Sequence, residues 1–212
     1  MSEIERLKQA VLQGKTQDAT DQTRGLMENA TPAQSIIDDA LIAAMDEVGE
    51  KFSKGQLFVP QMLRSAKAMQ ECMNVLKPQL KDGDVTPKGK VVIGTVKGDL
   101  HDIGKNLVAM MMEGAGFTIV DLGVDVTPDR FAQTVQEEEA DILALSALLS
   151  TTMPSMPATI EALAKAGVRD KVKVMIGGAP VTQAFADQIG ADGYASNAAS
   201  AADLAKRFAG AA

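Results

Sequence analysis

An α/β chain in two parts is expected here: a five-stranded parallel sheet wrapped by helices, preceded by a four-helix bundle. Three observations predict it. Apolar residues recur at helical spacing through the first 77 residues. From residue 90 onward, short β-rich runs alternate with helical patterns. Between them, PQLKDGDVTPKG (78–89) is polar and rich in Pro and Gly, and reads as a linker.

The bundle is read element by element. Ile4 to about Leu12 and Thr16 to about Met27 form two amphipathic helices separated near Gly14. Thr31-Pro32 opens a third with a hydroxyl cap and a proline at the first helical position. Its face is Ile37, Leu41, Ala44, Met45, Val48 and Phe52, and Gly55 ends it. The fourth carries Met62, Ala66, Met69, Met73 and Leu76 between Pro60 and Pro78. Four such helices suggest an antiparallel bundle over residues 1–77.

In the second part the β-rich runs are VVIGTV (91–96), FTIVDL (117–122), DILALSA (141–147), VKVMIGG (172–178) and YAS (194–196). Helical patterns follow at about 104–114, 127–138, 153–166, 181–189 and 198–209. Near-continuous apolar strands separated by helices imply a parallel sheet covered on both faces. Five such units over residues 90–212 fit a doubly wound, flavodoxin-like (Rossmann-like) sheet. Folds of this type bind ligands beyond the carboxyl ends of their strands.

Composition narrows the function. Hydrophobic residues are 46% and charged residues 23%, an ordinary globular balance. No run approaches 18 apolar residues, so no membrane span is expected, and the charged N-terminus lacks the apolar core of a signal peptide. The expected compartment is the cytoplasm. The net charge of -7, with no basic stripe, disfavours nucleic acid, and 3% aromatics with no Trp leaves no platform for stacking bases. One cysteine, Cys72, excludes an internal disulfide framework.

One segment carries chemistry. The first strand runs into Lys97-Gly98-Asp99-Leu100-His101-Asp102-Ile103-Gly104, where the only histidine of the chain sits between glycines. Asp99 is close enough to accept a hydrogen bond from one ring nitrogen, which fixes the tautomer and frees the other as a metal ligand. Gly98 and Gly104 let a bulky flat group approach the backbone. Alternatively, a loop histidine beside an aspartate is a plain surface or capping residue. Zinc is a poor fit, since one His and one Cys cannot supply a tetrahedral shell. No Gly-x-Ser-x-Gly elbow is present to support serine hydrolysis. A metal already held by a macrocycle needs just one protein ligand.

VKGDLHDIGKNLV (96–108), FTIVDLGVDV (117–126), LALSALLSTTM (143–153) and VMIGGAPVT (174–182) together resemble the cobalamin-binding module of corrinoid methyltransferases. FSKGQLFVPQMLRSAKAM (52–69) resembles that family's helical cap, and the likeness spans about residues 5–208. In size and layout the chain is similar to the stand-alone corrinoid proteins of methylamine, methanol and methoxyarene systems. Its module also resembles that of cobalamin-dependent methionine synthase.

The resemblance implies a cobalamin or related corrinoid cofactor, in its methylcobalamin form during the cycle. His101 would be the lower axial ligand of cobalt, Asp99 would hold its other nitrogen, and Thr152 would complete the relay. Leu100, Asp102 and Ile103 fall in the same loop motif. Ser146 and Leu148 would line a slot for the detached nucleotide tail, Gly177 and Gly178 would leave room for it, and Tyr194, Ala195 and Ser196 would close over it. Phe52, Val59 and Met62 would shield the upper face. Read without the resemblance, Gly177-Gly178 is equally a tight turn, Ser146 and Thr152 loop caps, and Phe52 and Met62 bundle core.

The implied function is a methyl carrier, a non-catalytic subunit rather than an enzyme. It would accept a methyl group on Co(I) from a donor-specific methyltransferase. It would pass it, as methyl–Co(III), to a second methyltransferase with tetrahydrofolate or coenzyme M as acceptor. A reductive activator protein would be a further partner. The cap would have to swing aside on residues 78–89. Rival readings are the small subunit of an adenosylcobalamin-dependent mutase, which generally lacks such a cap, and a cobalamin-dependent sensor, which adds a DNA-binding element. A flavodoxin- or receiver-like domain is a third.

Overall fold

The computed structural model describes residues 1–79 and 86–210. These fall into two compact units, one within Met1–Pro87 with Gly114–Gly116, the other within Lys88–Glu113 and Phe117–Ala212. Of the expected linker 78–89, residues 80–85 lie outside the described residues.

The first unit is helical. It comprises α1 (Glu3–Leu12) and α2 (Thr16–Glu28), then α3 (Ala33–Ser35), a π-helical stretch (Ile36–Ile42) and α4 (Ala43–Ser53) end to end, then α5 (Val59–Leu76). Ser2 caps α1 by accepting from the Glu5 N–H at 3.1 Å. The expected Thr31 cap does not form; Pro32 holds the N-cap position and no side chain bonds there. The π stretch was also not expected. Ile36 and Leu41, and Ile37 and Ile42, are five residues apart and all buried, which suits the wider i→i+5 winding. A sequence periodicity of three and four does not distinguish it from α geometry. Leu7, Ile36, Leu41, Met45, Met62 and Leu76 are fully buried, each worth roughly 1.5–3 kcal/mol of transfer free energy at most. Cys72 is buried as well, and burial pushes its thiol up, which keeps it an inert core residue.

The second unit is a parallel sheet of β1 (Lys90–Thr95), β2 (Thr118–Asp121), β3 (Ile142–Ser146), β4 (Lys173–Gly177) and β5 (Gly193–Ala195), in the order β2-β1-β3-β4-β5. The helices between and after them are α6 (Ile103–Gly114), α7 (Pro128–Glu137), α8 (Ser155–Lys165), α9 (Gln183–Ile189) and α10 (Ala198–Phe208). Local sequence fixes several starts. Thr127 accepts from the Arg130 N–H, Thr182 from the Phe185 N–H, and Asn197 from the Ser200 N–H. Helix α8 begins at Ser155, two residues later than its periodicity suggested, because Thr151–Pro154 form a turn first.

Register places Thr95, Ser146, Gly177 and Ala195 in one row at the carboxyl end of the sheet. From β1 the chain crosses to β2 on one side and later to β3 on the other. The crevice between the loops after β1 and β3 is therefore the topological switch point.

Both faces of the sheet are buried: Val92, Leu143, Val174 and Ile176 pack with Phe131 and Met156 on one, and Val91, Ile93, Ile142 and Met175 are buried on the other. The Phe131 ring packs onto Gly94, where a Cβ would lie 2.7 Å from its Cε1. Phe131→Ala should cost about 3–5 kcal/mol of unfolding free energy in denaturant titrations. A loss below about 1 kcal/mol would mean that the ring is not holding α7 to the sheet.

Candidate metal-ligand site at the switch point

Gly98, Asp99, Leu100, His101 and Asp102 form the loop after β1, and Ile103 and Gly104 open α6. Ser146 ends β3, and Leu148 and Thr152 lie on the loop that follows. Gly177 ends β4 with Gly178 next, Tyr194 and Ala195 are in β5, and Ser196 follows it. All these residues share the carboxyl end of the sheet. Phe52 lies in α4, and Val59 and Met62 in α5. Met62 is buried, whereas the exposed aromatic of the helical unit is Phe58, which the sequence reading did not single out.

The centre of the site is the Asp99 carboxylate, which is fully buried. Its Oδ1 accepts from the His101 Nδ1–H at 2.7 Å and from the His101 N–H at 3.1 Å. Its Oδ2 accepts from the Leu148 N–H at 2.8 Å, the Leu149 N–H at 3.3 Å and the Thr152 hydroxyl at 2.7 Å. The Thr152 hydroxyl has a single proton, with the Leu149 carbonyl 2.8 Å away as its other acceptor. Two loops from opposite sides of the switch point thus converge on one carboxylate. Burial pushes this carboxyl up, but the bonds from Leu148, Thr152 and His101 outweigh it and hold it well below the ordinary carboxylate range.

An ionised Asp99 favours a proton on Nδ1, so in the neutral imidazole Nε2 is left with its lone pair. The His101 side chain is 51% exposed while its partner is fully buried. One imidazole face is fixed and the other is available, as a metal ligand needs. The main chain is tied down too, since the buried Thr95 hydroxyl donates to the His101 carbonyl at 2.8 Å. Gly98 adopts φ +85, which a side chain rarely tolerates, and its N–H donates to Asp125 Oδ1 at 2.7 Å.

Lys105 was missed from sequence, and so were Val124 and Leu149 of an exposed apolar set whose other members, Leu100, Ile103 and Leu148, the sequence had pointed to. Lys105 in α6 is almost fully buried, with its ammonium on Asp121 at the end of β2 and on Asn106 Oδ1 at 2.6 Å. A lysine one turn after a loop looks like a surface residue in a sequence, and only the sheet reveals its partner. The apolar set surrounds the loop ends: Leu100, Ile103, Val124, Leu148 and Leu149. Gly178, at φ +131, lies so close to the β3 loop that a Cβ would fall 1.8 Å from the Ala147 carbonyl oxygen.

Two family models, each described as a B12 binding domain, match residues 89–203 and residues 3–77. The chain is 50% identical to the dimethylamine corrinoid protein 3 of Methanosarcina mazei over 165 residues, 77% of this chain and 99% of the relative. The chain belongs to the B12-binding corrinoid protein family. Its fold matches a solved cobalamin-binding protein from Desulfitobacterium hafniense with TM-score 0.81 and 34% identity, covering 97% of this chain and 98% of that one. It also matches the methanol:cobalamin methyltransferase complex of Methanosarcina barkeri with TM-score 0.88 and 31% identity, covering 99% of this chain and 80% of that one.

The cofactor of this corrinoid protein is cobalamin or a related corrinoid, and the residues present fit it. A macrocycle supplies its own equatorial ligands, so one fixed imidazole suffices. Among the described residues no cluster of three or more His, Cys, Asp or Glu is arranged to hold a bare metal ion. The exposed Leu100, Ile103, Leu148 and Leu149 suit an apolar ring edge. Among the described residues no helix is long and apolar enough to cross a membrane.

The depressed Asp99 carboxyl sets a pH dependence. Its folded value lies below its unfolded value near about 4, so its stabilisation is complete above that value and is lost as pH falls through it and below. Asp99→Asn should therefore melt below the parent at neutral pH, with the gap closing toward about pH 2. A gap that stays constant across thermal melts from about pH 7 to about pH 2 would contradict the assignment.

Proposed function

We propose that this corrinoid protein is a methyl carrier. It would receive a methyl group with the help of a donor-specific methyltransferase and yield it to a second methyltransferase, in the cytoplasm. The Asp99-bound His101, half-exposed at the switch point of the sheet, supports the corrinoid part of this reading. The observation that carries the methyl-carrier part is the likeness to methylamine and methanol corrinoid proteins across both units, the helical one included. The names of its relatives support a donor of the methylamine or methanol kind. Tetrahydrofolate or coenzyme M would be the acceptor, and a reductive activator protein would be a third partner.

When bound, the corrinoid supplies a cobalt that takes up a methyl group and gives it away again. The chain supplies the rest. His101 Nε2 would be the protein's ligand to the cobalt. Asp99 keeps the proton at Nδ1 and strengthens or relaxes its hold as the demand on Nε2 changes. Thr152 steadies Asp99 and has the Leu149 carbonyl as a second acceptor for its proton. Ser146 and Leu148 would line the slot for the nucleotide tail, Gly177 and Gly178 would leave it room, and Tyr194, Ala195 and Ser196 would close over it. Leu100, Asp102 and Ile103 would border the ring beside Gly98 and Gly104. The helical unit, residues 1–77, would act as a cap in which Phe52, Val59 and Met62 exclude water, with 78–89 as its tether to the domain 90–212. A mutase small subunit would share the His101 loop, but the relatives' names favour methyl transfer.

Two variants separate the ligand from the scaffold. His101→Ala should still take up hydroxocobalamin, more weakly, and should lose protein-nitrogen coordination in its visible and electron paramagnetic resonance spectra. Spectra identical to the parent's would remove His101 from the axial role. At Gly104 a Cβ meets nothing within 4 Å, and alanine in a helix is favoured over glycine by roughly 0.5–1 kcal/mol. Gly104→Ala should therefore leave the apoprotein as stable or more so, while reducing hydroxocobalamin uptake in equilibrium titrations. Equal uptake would show that the ring does not approach the backbone there.

A further inference from the structure

We propose that Asp125 is a positioning residue for His101, acting through the loop that carries it. The part this assigns to His101 rests on the carrier reading above. Asp125 lies between β2 and α7. Its Oδ1 accepts from the Gly98 N–H at 2.7 Å, and its own N–H donates to the Asp99 carbonyl at 3.0 Å. The two bonds bracket the Gly98–Asp99 segment just before the imidazole. A parallel bridge between Val96 and Val126 brings the two loops side by side, so Asp125 arrives beside Gly98 without a long reach.

The backbone carries a second, independent sign. Asp125 has φ 54, one of three positive-φ residues other than glycine among those described. That conformation is uncommon for a residue with a Cβ and persists where neighbouring bonds over-determine it. Gly98, its partner, is also left-handed at φ +85. Both turns are therefore bent to present one N–H to one carboxylate.

The division of labour is geometric. The β3 loop holds the Asp99 carboxylate through Leu148, Leu149 and Thr152. Nothing in that set fixes the orientation of the Asp99 main chain. Asp125 does so from the opposite side of β1, and Thr95 holds the His101 carbonyl. Removing the Asp125 carboxylate leaves the main-chain bonds from the Asp125 N–H to the Asp99 carbonyl and from the Asp99 N–H to the Val96 carbonyl at 3.1 Å. It deprives the Gly98 N–H of its acceptor, however, and so loosens the turn that sets the direction of the chain into Asp99. The first contact to suffer is the 2.7 Å bond between Oδ1 and Nδ1.

His101 is the only histidine in the chain, so untagged protein labelled with 15N-histidine gives a single imidazole signature. In the parent apoprotein the 15N shifts should report a dominant Nδ1–H tautomer. In Asp125→Ala and Asp125→Gly the signal should move toward a tautomer mixture, and hydroxocobalamin affinity should fall roughly tenfold, the scale of one charge-assisted hydrogen bond. Asp125→Asn keeps an oxygen at Oδ1 and tolerates positive φ, so it should restore both readouts. The glycine variant carries no left-handed strain, which separates loss of the acceptor from failure to fold. Imidazole shifts in the alanine and glycine variants equal to the parent's would overturn the proposal, as would an asparagine variant no better than alanine. A parent chain that takes up no corrinoid, with the imidazole shifts still responding to Asp125, would overturn the carrier reading and leave Asp125 as an organiser of the loop alone.

Discussion

The site depends on one buried carboxylate with donors on both sides of it. Asp99 joins the loop after β1 to the loop after β3, and those two loops flank the switch point of the sheet. A buried charge is tolerable only when it is surrounded by donors, and five N–H or O–H groups supply them here. The same bonds that keep the carboxylate ionised dictate where the His101 proton sits. Electrostatics, tautomer and loop geometry are thus one constraint seen three ways.

Around that constraint the molecule divides its tasks. The register row of Thr95, Ser146, Gly177 and Ala195 makes a flat edge from which the loops rise. Small residues keep parts of that edge low, and at Gly178 even a methyl group would collide with Ala147. Apolar side chains at the loop ends stay exposed around that edge, where an apolar ring edge could cover them. The helical unit has its own core and its own family match, so the chain joins two separately built parts.

Much of this was legible in the sequence, for physical reasons that differ by element. Strands such as VVIGTV and DILALSA are nearly all apolar because both faces are covered, and that, with helices between them, signals a parallel sheet. Thr127-Pro128 announces α7 because its hydroxyl has one obvious local task. The Asp99–His101 pair could be read because the partners are two residues apart. What escaped the reading was non-local. The N–H groups of Leu148 and Leu149 carry no side-chain signature, and Lys105 finds Asp121 only through the β1–β2 pairing. Asp125 is invisible until the bridge between Val96 and Val126 sets it beside Gly98. The π stretch at Ile36–Ile42 escaped because apolar positions spaced by five hide among those spaced by three and four. Thr31 misled in the opposite sense, a good cap by composition that the chain passes over in favour of Pro32.

The most direct measurement uses the uniqueness of the imidazole. Protein grown with 15N-histidine is loaded with corrinoid, reduced to the paramagnetic cobalt state, and compared by electron paramagnetic resonance with unlabelled protein. If His101 is the axial ligand, the nitrogen triplet on each cobalt line becomes a doublet on labelling. A triplet unchanged by the label would mean that the coordinating nitrogen comes from elsewhere, and the account built on Asp99 and His101 would be wrong.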